Sequence, residues 1–423
     1  MQPVGSLSRT RPRRPAPHLR VVGPDEPATL VADLRPAGQT GRAPAEPADR
    51  AVRLLLASTL SLTVIGLVMV LSASSVSAYA RYGSSFLFFR RQLVYALVGG
   101  AALWLTSRMR HRAWERLAAP LLAVSVVLLA LVLHPAAGTV AGGSARWIVM
   151  GPVTVQPSEM AKLAVIAFTS ALLARRWREL HDVGRLAMPL LPVVGLVCAL
   201  IMLQPDLGTT VVLAGVVFAL LFVAGARLRH LFLGVVGSAS LGFALIYVEG
   251  YRWSRFIAFL NPWADPQGAG YQIIQSMIAL ASGGPLGVGL GASRQKWLYV
   301  PNAHTDFIFS IIGEELGLVG NLVVLALFGM FIYAGVRIAM RAPDPFGRFM
   351  AAGITAWIGL QAIVNLGAVT ALLPITGVPL PFVSFGGSAL VVSLAAVGIL
   401  VSIGRNPSVR LGRPSARQAR TRS

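Results

Sequence analysis

The 423-residue sequence holds one cysteine, two lysines and 16 acidic residues, and only 13% of its residues are charged. The single cysteine, Cys198, excludes an internal disulfide framework and any cysteine-based metal site. It lies in an apolar run and reads as a packing residue. The charged fraction is about half of the roughly 25% usual in soluble domains, which excludes both an ordinary soluble enzyme and a disordered chain. What is there is apolar: 55% hydrophobic residues and a mean hydropathy of +0.69. This composition points to many membrane-spanning helices. Basic residues exceed acidic ones to a net charge of +21, nearly all as arginine. In a chain this apolar the excess fits the cytoplasmic loops of a membrane protein, and no nucleic-acid partner is expected.

Residues 1–50 are rich in Pro, Ala, Gly and Arg without apolar periodicity, and read as a disordered tail rather than a cleaved signal peptide. Residues 405–423 carry six arginines and no acid and read as a second, basic tail. A basic tail is drawn to anionic membrane lipid, although a solvated tail that helps fix topology fits as well. Between the tails, over 51–404, run ten apolar stretches at roughly 53–76, 92–107, 117–134, 158–174, 187–203, 208–225, 231–248, 307–336, 348–372 and 388–404. Each approaches the length needed to cross a bilayer, and helices satisfy their backbone internally. The expected fold is an all-α polytopic membrane protein of about ten transmembrane helices. Loops 107–116, 175–185, 225–230 and 337–348 hold 13 arginines, so both termini are expected in the cytoplasm. Two segments then lie outside: 135–157, and a large loop, 249–306, between the seventh and eighth helices. Long loops of this kind are usually functional. The second contains Trp253, Trp263, Trp297 and an apolar stretch, 271–281, able to fold back into the interface.

Ionisable residues within or at the ends of spans are costly and are therefore candidate functional residues. Glu159 and Lys162 open the fourth span, after a Gln-Pro-Ser helix start, at an i, i+3 spacing that lets them pair. They read equally as a structural ion pair or as a charged pocket for a polar head group. Asp206 lies in the QPDLG turn between spans five and six. Thr305 is expected to cap the eighth span, with Asp306 in its first turn. Asp306, Ser310, Gly313 and Glu314 then share one helical face, directed inward rather than at lipid. Spacing alone leaves Asp306 open between helix-start electrostatics and catalysis. His304 reads as a polar loop residue, and Glu314 and Glu315 as hydrogen-bonding helix contacts. The GGPLGVGLG run at 283–291 lacks the strand and the Lys-Ser/Thr ending of a phosphate loop, so no nucleotide is expected.

The stretch GLGASRQKWLYVPNAHTDFIFSIIGEELGLVG at 289–320 resembles the signature of the SEDS family, polytopic glycosyltransferases that polymerise bacterial peptidoglycan from lipid II. LSASS at 71–75, GGSARWI at 142–148, QPSEMAKL at 156–163, QPDLGT at 204–209, FLNPWADPQGAGYQIIQS at 259–276 and PFVSFGGSA at 381–389 extend the likeness over the whole membrane region. The SRQK…Y-P stretch and LSASS are most similar to the cell-division (FtsW) type, with the elongation (RodA) and sporulation branches still open. The resemblance implies a bacterial plasma-membrane enzyme at the division septum. It also implies lipid II as substrate, and a class B penicillin-binding protein and divisome proteins as partners.

By the same resemblance Asp306 matches the family's essential aspartate, and Trp147 its functionally important tryptophan. Glu159 and Lys162 match the charged pair of the central cavity, Arg255 and Gln275 the fourth outer loop lining it, and His304 the aspartate's neighbour. The reaction would be an inverting β-1,4 transfer releasing undecaprenyl pyrophosphate, akin in logic to inverting glycosidases. Asp306 would serve as general base, and Lys162, with Arg255 or Arg146, would face the pyrophosphate. Glu159 would orient Lys162, Trp147 would pack on sugar or lipid, and a divalent cation (Mg or Mn) would share the charge stabilisation. Two other classes are a lipid II flippase or other transporter and a non-catalytic divisome scaffold. A transporter needs residues reachable from both faces, and a scaffold tolerates loss of Asp306.

Overall fold

A computed structural model describes residues 47–405, apart from 136–137, 142–143, 152, 177–182, 298 and 302. Both tail readings thus lie outside the described residues, except for 47–50, which begin the first helix, and Arg405, which ends the last. The helices are α1 (Pro47–Tyr82), α2 (Leu87–Arg108), α3 (His111–Val132), α4 (Pro157–Arg175), α5 (Val183–Met202), α6 (Leu207–Val223), α7 (Leu228–Val248), α8 (Gly250–Leu260), α9 (Tyr271–Ser282), α10 (Ile308–Met340), α11 (Pro345–Val369) and α12 (Ser388–Arg405). Each of the ten apolar stretches coincides with one helix, α8 and α9 being additional. Seven of the described helices, α1, α3, α4, α7, α10, α11 and α12, are long and apolar enough to cross a membrane. Within α5 and α6, Pro189–Met202 and Leu207–Val223 are apolar but shorter. The chain is a polytopic, mostly helical membrane protein.

One amendment to the all-helical expectation falls in the segment 135–157. It forms three short antiparallel strands, β1 (Thr139–Ala141), β2 (Ser144–Met150) and β3 (Val153–Val155), in the order β1-β2-β3. Thr139 pairs with Trp147, and Ile148 with Val155. The β-branched run of 148–155, turned at Gly151 with φ 59°, suits a hairpin better than an open loop.

Local chemistry explains the helix boundaries. Pro157 enters α4 in its first turn, with Glu159 beside it, where a missing N–H and a negative charge are both favourable. Asp344 caps α11, accepting from Gly347 N at 2.7 Å, and Asp206 caps α6, accepting from Thr209 N at 3.1 Å. α10 is two helical pieces joined at Gly317, whose φ of 69° and ψ of −165° only glycine adopts without strain. The centre of the fold is α10, α11, α12, α1 and α4, with Trp357, Phe331 and Phe349 fully enclosed. α7 has no buried residue and lies against α6 at the periphery, where Gly234 meets Phe218.

The 249–306 segment is ordered by its own helices. α8 carries a cluster of aromatic rings, in which Trp253 stacks on Phe256 at 5.8 Å. α9, over the apolar stretch anticipated at 271–281, is fastened to the end of α11 by Ser276 Oγ donating to Val369 O at 2.8 Å. The glycine-rich run after α9 lies across the α10 break. Val288 N donates to Glu314 O at 2.9 Å, and Leu318 N to Gly284 O at 2.9 Å. A side chain on Gly287 or Gly317 would collide with the other strand of this crossing. The run is therefore a splice for a broken helix, not a phosphate cradle.

Candidate active site

The break in α10 exposes the site's foundation. Glu314 and Glu315 precede it and are 2% and 1% exposed. Glu314 accepts from Ser293 Oγ at 2.5 Å and Arg294 N at 2.8 Å. Glu315 accepts from Ser72 Oγ of α1 at 2.6 Å and faces Lys296 Nζ at 3.3 Å. These carboxylates do more than pack helices. They hold the SRQK stretch of 293–296 onto α10 and α1, which positions the chain running on to His304 and Asp306.

Asp306 lies two residues before α10. The expected Thr305 cap does not form: Phe307 occupies the cap position, without a side-chain hydrogen bond. Thr305 instead donates its side chain to Asp306, while its carbonyl accepts Ser384 Oγ at 2.5 Å. Ser310, Gly313 and Glu314 are all buried, so the inward polar face anticipated for this helix is present, with Asp306 just ahead of it. Asp306 is half-buried. Its main-chain carbonyl accepts Asn365 Nδ2 at 2.8 Å. Burial pushes its carboxyl up to about 6, against the pull of the Arg255 and Arg146 guanidiniums and with a push from Asp206.

Those two arginines arrive from different elements. Arg146 stands on β2 and is locked to the α5–α6 turn, donating Nε to Gln204 O at 3.0 Å and a terminal nitrogen to Pro205 O. Arg255 stands on α8, its guanidinium 4.6 Å from the Tyr251 ring. Asp206, in the same turn, is committed to Thr209 through both carboxylate oxygens. Trp147, next to Arg146 on β2, is half-buried, as is Gln275 on α9. His304 sits between Phe88 and Phe385, with ring centroids at 4.6 and 5.8 Å. Burial, then the charge of Arg81, pushes its imidazole down to about 4, so it is neutral at pH 7.

Glu159 and Lys162 do form the i, i+3 pair, at 2.8 Å, with side chains 2% and 1% exposed. Lys162 Nζ also donates to Gln361 Oε1 at 2.7 Å and lies 5.0 Å from the Trp357 ring. The ammonium expected to face a pyrophosphate is thus enclosed by its own partners, because a charge in a low-dielectric interior must be compensated there. The cations whose charge reaches Asp306 are Arg255 and Arg146. Gln361 and Asn365 were absent from the sequence-based candidates. Their signal was available: two amides one turn apart inside an otherwise apolar span.

Among the described residues no three His, Cys, Asp or Glu side chains converge to hold a metal ion. Asp206 is occupied by Thr209 and Asp306 faces arginines, so these residues do not fit a resident Mg or Mn site.

A family model described as a cell cycle protein, FTSW_RODA_SPOVE, matches residues 52–408. Stage V sporulation protein E of Bacillus subtilis (strain 168) is 44% identical over 354 residues, 83% of this chain and 96% of its own. A probable peptidoglycan glycosyltransferase FtsW of Geobacter metallireducens is 43% identical over 350 residues, 83% and 93% of the two chains. Among solved structures, a chain from a peptidoglycan synthase complex that coordinates polymerization and crosslinking superposes with TM-score 0.69 at 32% identity, covering 84% of this chain and 97% of that one. The crystal structure of the rod shape determining protein RodA of Thermus thermophilus superposes with TM-score 0.62 at 30% identity, covering 84% and 96%. A match that takes in all twelve helices but the first turn of α1, with identities above 40% to curated relatives, places the chain in one family: it belongs to the FtsW/RodA/SpoVE (SEDS) family of polytopic membrane proteins.

Proposed function

We propose that this chain is a peptidoglycan glycosyltransferase that polymerises lipid II, with Asp306 as the general base. The observation that carries the assignment is the environment of Asp306. A half-buried carboxylate, pushed up to about 6, stands where two arginines supply fixed positive charge. At neutral pH such a group is ionised, yet basic enough to accept a proton in the transition state. The names of its FtsW relatives support the same activity.

In the proposed step Asp306 takes the proton of the acceptor's 4-hydroxyl as its oxygen bonds to the anomeric carbon of the growing chain. The bond from that carbon to the pyrophosphate oxygen breaks with inversion, and undecaprenyl pyrophosphate leaves with the electron pair. Arg255 and Arg146 stabilise the negative charge on the leaving group, held in place before it develops. Trp147 packs on a sugar or on the lipid segment, and Gln275 contributes a polar lining. His304 is a neutral wall that fixes the loop beside Asp306. Glu159 and Lys162 act from behind, as a buried anchor. A divalent cation would arrive with the pyrophosphate rather than reside on the described residues, and no step depends on it.

The arginine-rich loops support cytoplasmic termini and an extracytoplasmic Asp306. The likeness to a chain of a peptidoglycan synthase complex supports a class B penicillin-binding protein as partner. Septal synthesis within the divisome is the proposed setting.

The test is polymerisation of labelled lipid II by purified protein, with and without its class B partner, beside Asp306→Asn. Polymer from wild type and none from a folded, partner-binding Asp306→Asn is the expected result. Undiminished polymer from the variant would remove the base assignment. Lipid II crossing liposome bilayers without any polymer would favour the transporter reading.

A further inference from the structure

The reaction as written uses no group of α11, yet α11 buries two amides in the middle of the fold. Gln361 and Asn365 are 1% and 2% exposed. They are spaced i, i+4 and so lie on one face. Polar side chains inside a span are costly unless their partners are specific, and here the partners form one connected strut. Glu159 on α4 holds Lys162, and Lys162 Nζ donates to Gln361 Oε1 at 2.7 Å. Trp357 Nε1 donates to the same oxygen at 2.8 Å. Gln361 Nε2 in turn donates to Pro379 O at 3.0 Å. One turn further along, Asn365 Nδ2 donates to Val378 O and to Asp306 O, each at 2.8 Å.

The segment held this way is itself a wall of the site. Gly377 has φ 71°, and a Cβ built there would lie 3.7 Å from Asp306 Oδ2. The two amides therefore fix both the main chain of Asp306 and the backbone that its carboxylate faces. Among the described residues, their hydrogen bonds reach neither the carboxylate itself nor Arg255, Arg146 or Asp206.

We propose that Asn365 and Gln361 are positioning residues for Asp306. They set its place through the peptide groups of Asp306, Val378 and Pro379, with the Glu159–Lys162 pair as the buried end of the strut. This rests on the reading of Asp306 as the base. Geometry at a reacting group is steep in its effect: a misplacement of about 1 Å can cost about 100-fold in rate. The strut makes the charged pair of α4 act on the reaction through α11 rather than by touching substrate.

The experiment measures kcat, KM for lipid II and the pH–rate profile of the full chain with its class B partner. The variants are Asn365→Leu, of the same branched shape without either N–H, and Gln361→Met. The second stays neutral and unbranched, and drops both the N–H to Pro379 and the oxygen that accepts from Lys162 and Trp357. The expected result is a fall in kcat on the order of 10-fold or more with KM within about 2-fold. It comes with an acid limb moved down by about half a pH unit or more, as a loosened Asp306 gains water. A merely structural role lowers the amount of folded enzyme and leaves that midpoint alone. An unchanged midpoint in the folded variants, with or without a slower rate, overturns the proposal. Should Asn365→Leu not fold, Gln361→Met decides by the same criterion. Failure of the underlying reading looks different: Asp306→Asn would then retain the wild-type rate and the wild-type acid limb.

Discussion

Lys162 Nζ lies 2.8 Å from Glu159 Oε1 on the same helix, and neither side chain is more than 2% exposed. A pair of opposite charges this far from solvent is tolerated because each compensates the other. Removing one partner strands the other. We expect Lys162→Met alone to destabilise the protein by about 3–5 kcal/mol. The double variant Glu159→Gln/Lys162→Met should recover most of that loss. Thermal unfolding in detergent of the wild type, both single variants and the double variant closes the cycle. Strictly additive effects would contradict the pairing.

The carboxyl of Asp306 is pushed up to about 6, so the rate should rise with pH through about 6 and level above it. Arg255 holds that value down, so Arg255→Gln should move the acid limb to higher pH and raise KM. His304, neutral at pH 7 with its own value pushed down to about 4, should leave the limb in place when replaced by Phe. The three pH–rate profiles, measured in one buffer series, check all of this.

The same shift has a consequence for stability, with a definite sign. The folded state holds the Asp306 proton to higher pH than the unfolded chain does. Stability is therefore reduced as pH rises from the ordinary carboxylate range through about 6. Asp306→Asn removes that loss. Its Tm should exceed the wild-type value at pH 7, and the advantage should disappear near pH 4. A Tm difference independent of pH would contradict the burial of this group.

Asp344 joins three elements at the opposite end of α11. It caps the helix through Gly347 N, and its Oδ2 lies 2.9 Å from His111 Nε2 and 3.0 Å from Arg112 Nε. Burial alone would raise its carboxyl, but the hydrogen bonds from His111, Gly347 and Arg112 together hold it below the ordinary carboxylate range. The stability it contributes is present above that range and is lost as pH falls toward the depressed value. Asp344→Ala should cost about 1–2 kcal/mol, the usual worth of a helix cap. Asp344→Asn should keep part of the cap while flattening the acid dependence. Unfolding curves at pH 7 and at about pH 2.5, below the ordinary carboxylate range, separate the two effects.

Gly317 is required by both its positive φ and the peptide backbone of Pro285–Gly287 pressed against it. Gly317→Ala should destabilise by more than about 1 kcal/mol. Because Glu314 and Glu315 anchor the chain leading to Asp306, kcat should fall as well. A folded Gly317→Ala with wild-type Tm and kcat would mean that the splice is not needed.

The amino-acid sequence by itself determined the membrane class, the place of every long helix and the pairing of Glu159 with Lys162. Each of these depends on local properties: apolar runs long enough to exclude water, Pro157 and Glu159 at a helix start, an i, i+3 spacing. It also carried the motifs by which the family was recognised. Tertiary structure decided what surrounds Asp306. Asn365 comes from 59 positions away, and the serine on its neighbour Thr305 from 79. The carboxylates of Glu314 and Glu315 looked like packing groups on a continuous helix. They became loop anchors only because the chain breaks at Gly317 and folds a glycine-rich run across the gap. Thr305 did not cap α10: Phe307 holds the cap position, and the Thr305 side chain bonds to Asp306. Lys162 looked available to a pyrophosphate, but Gln361 and Trp357 of α11 close over it. In a low-dielectric interior each polar group is settled by whichever partner lies within about 3 Å. Segments distant in sequence supply that partner, and only the folded chain brings them together.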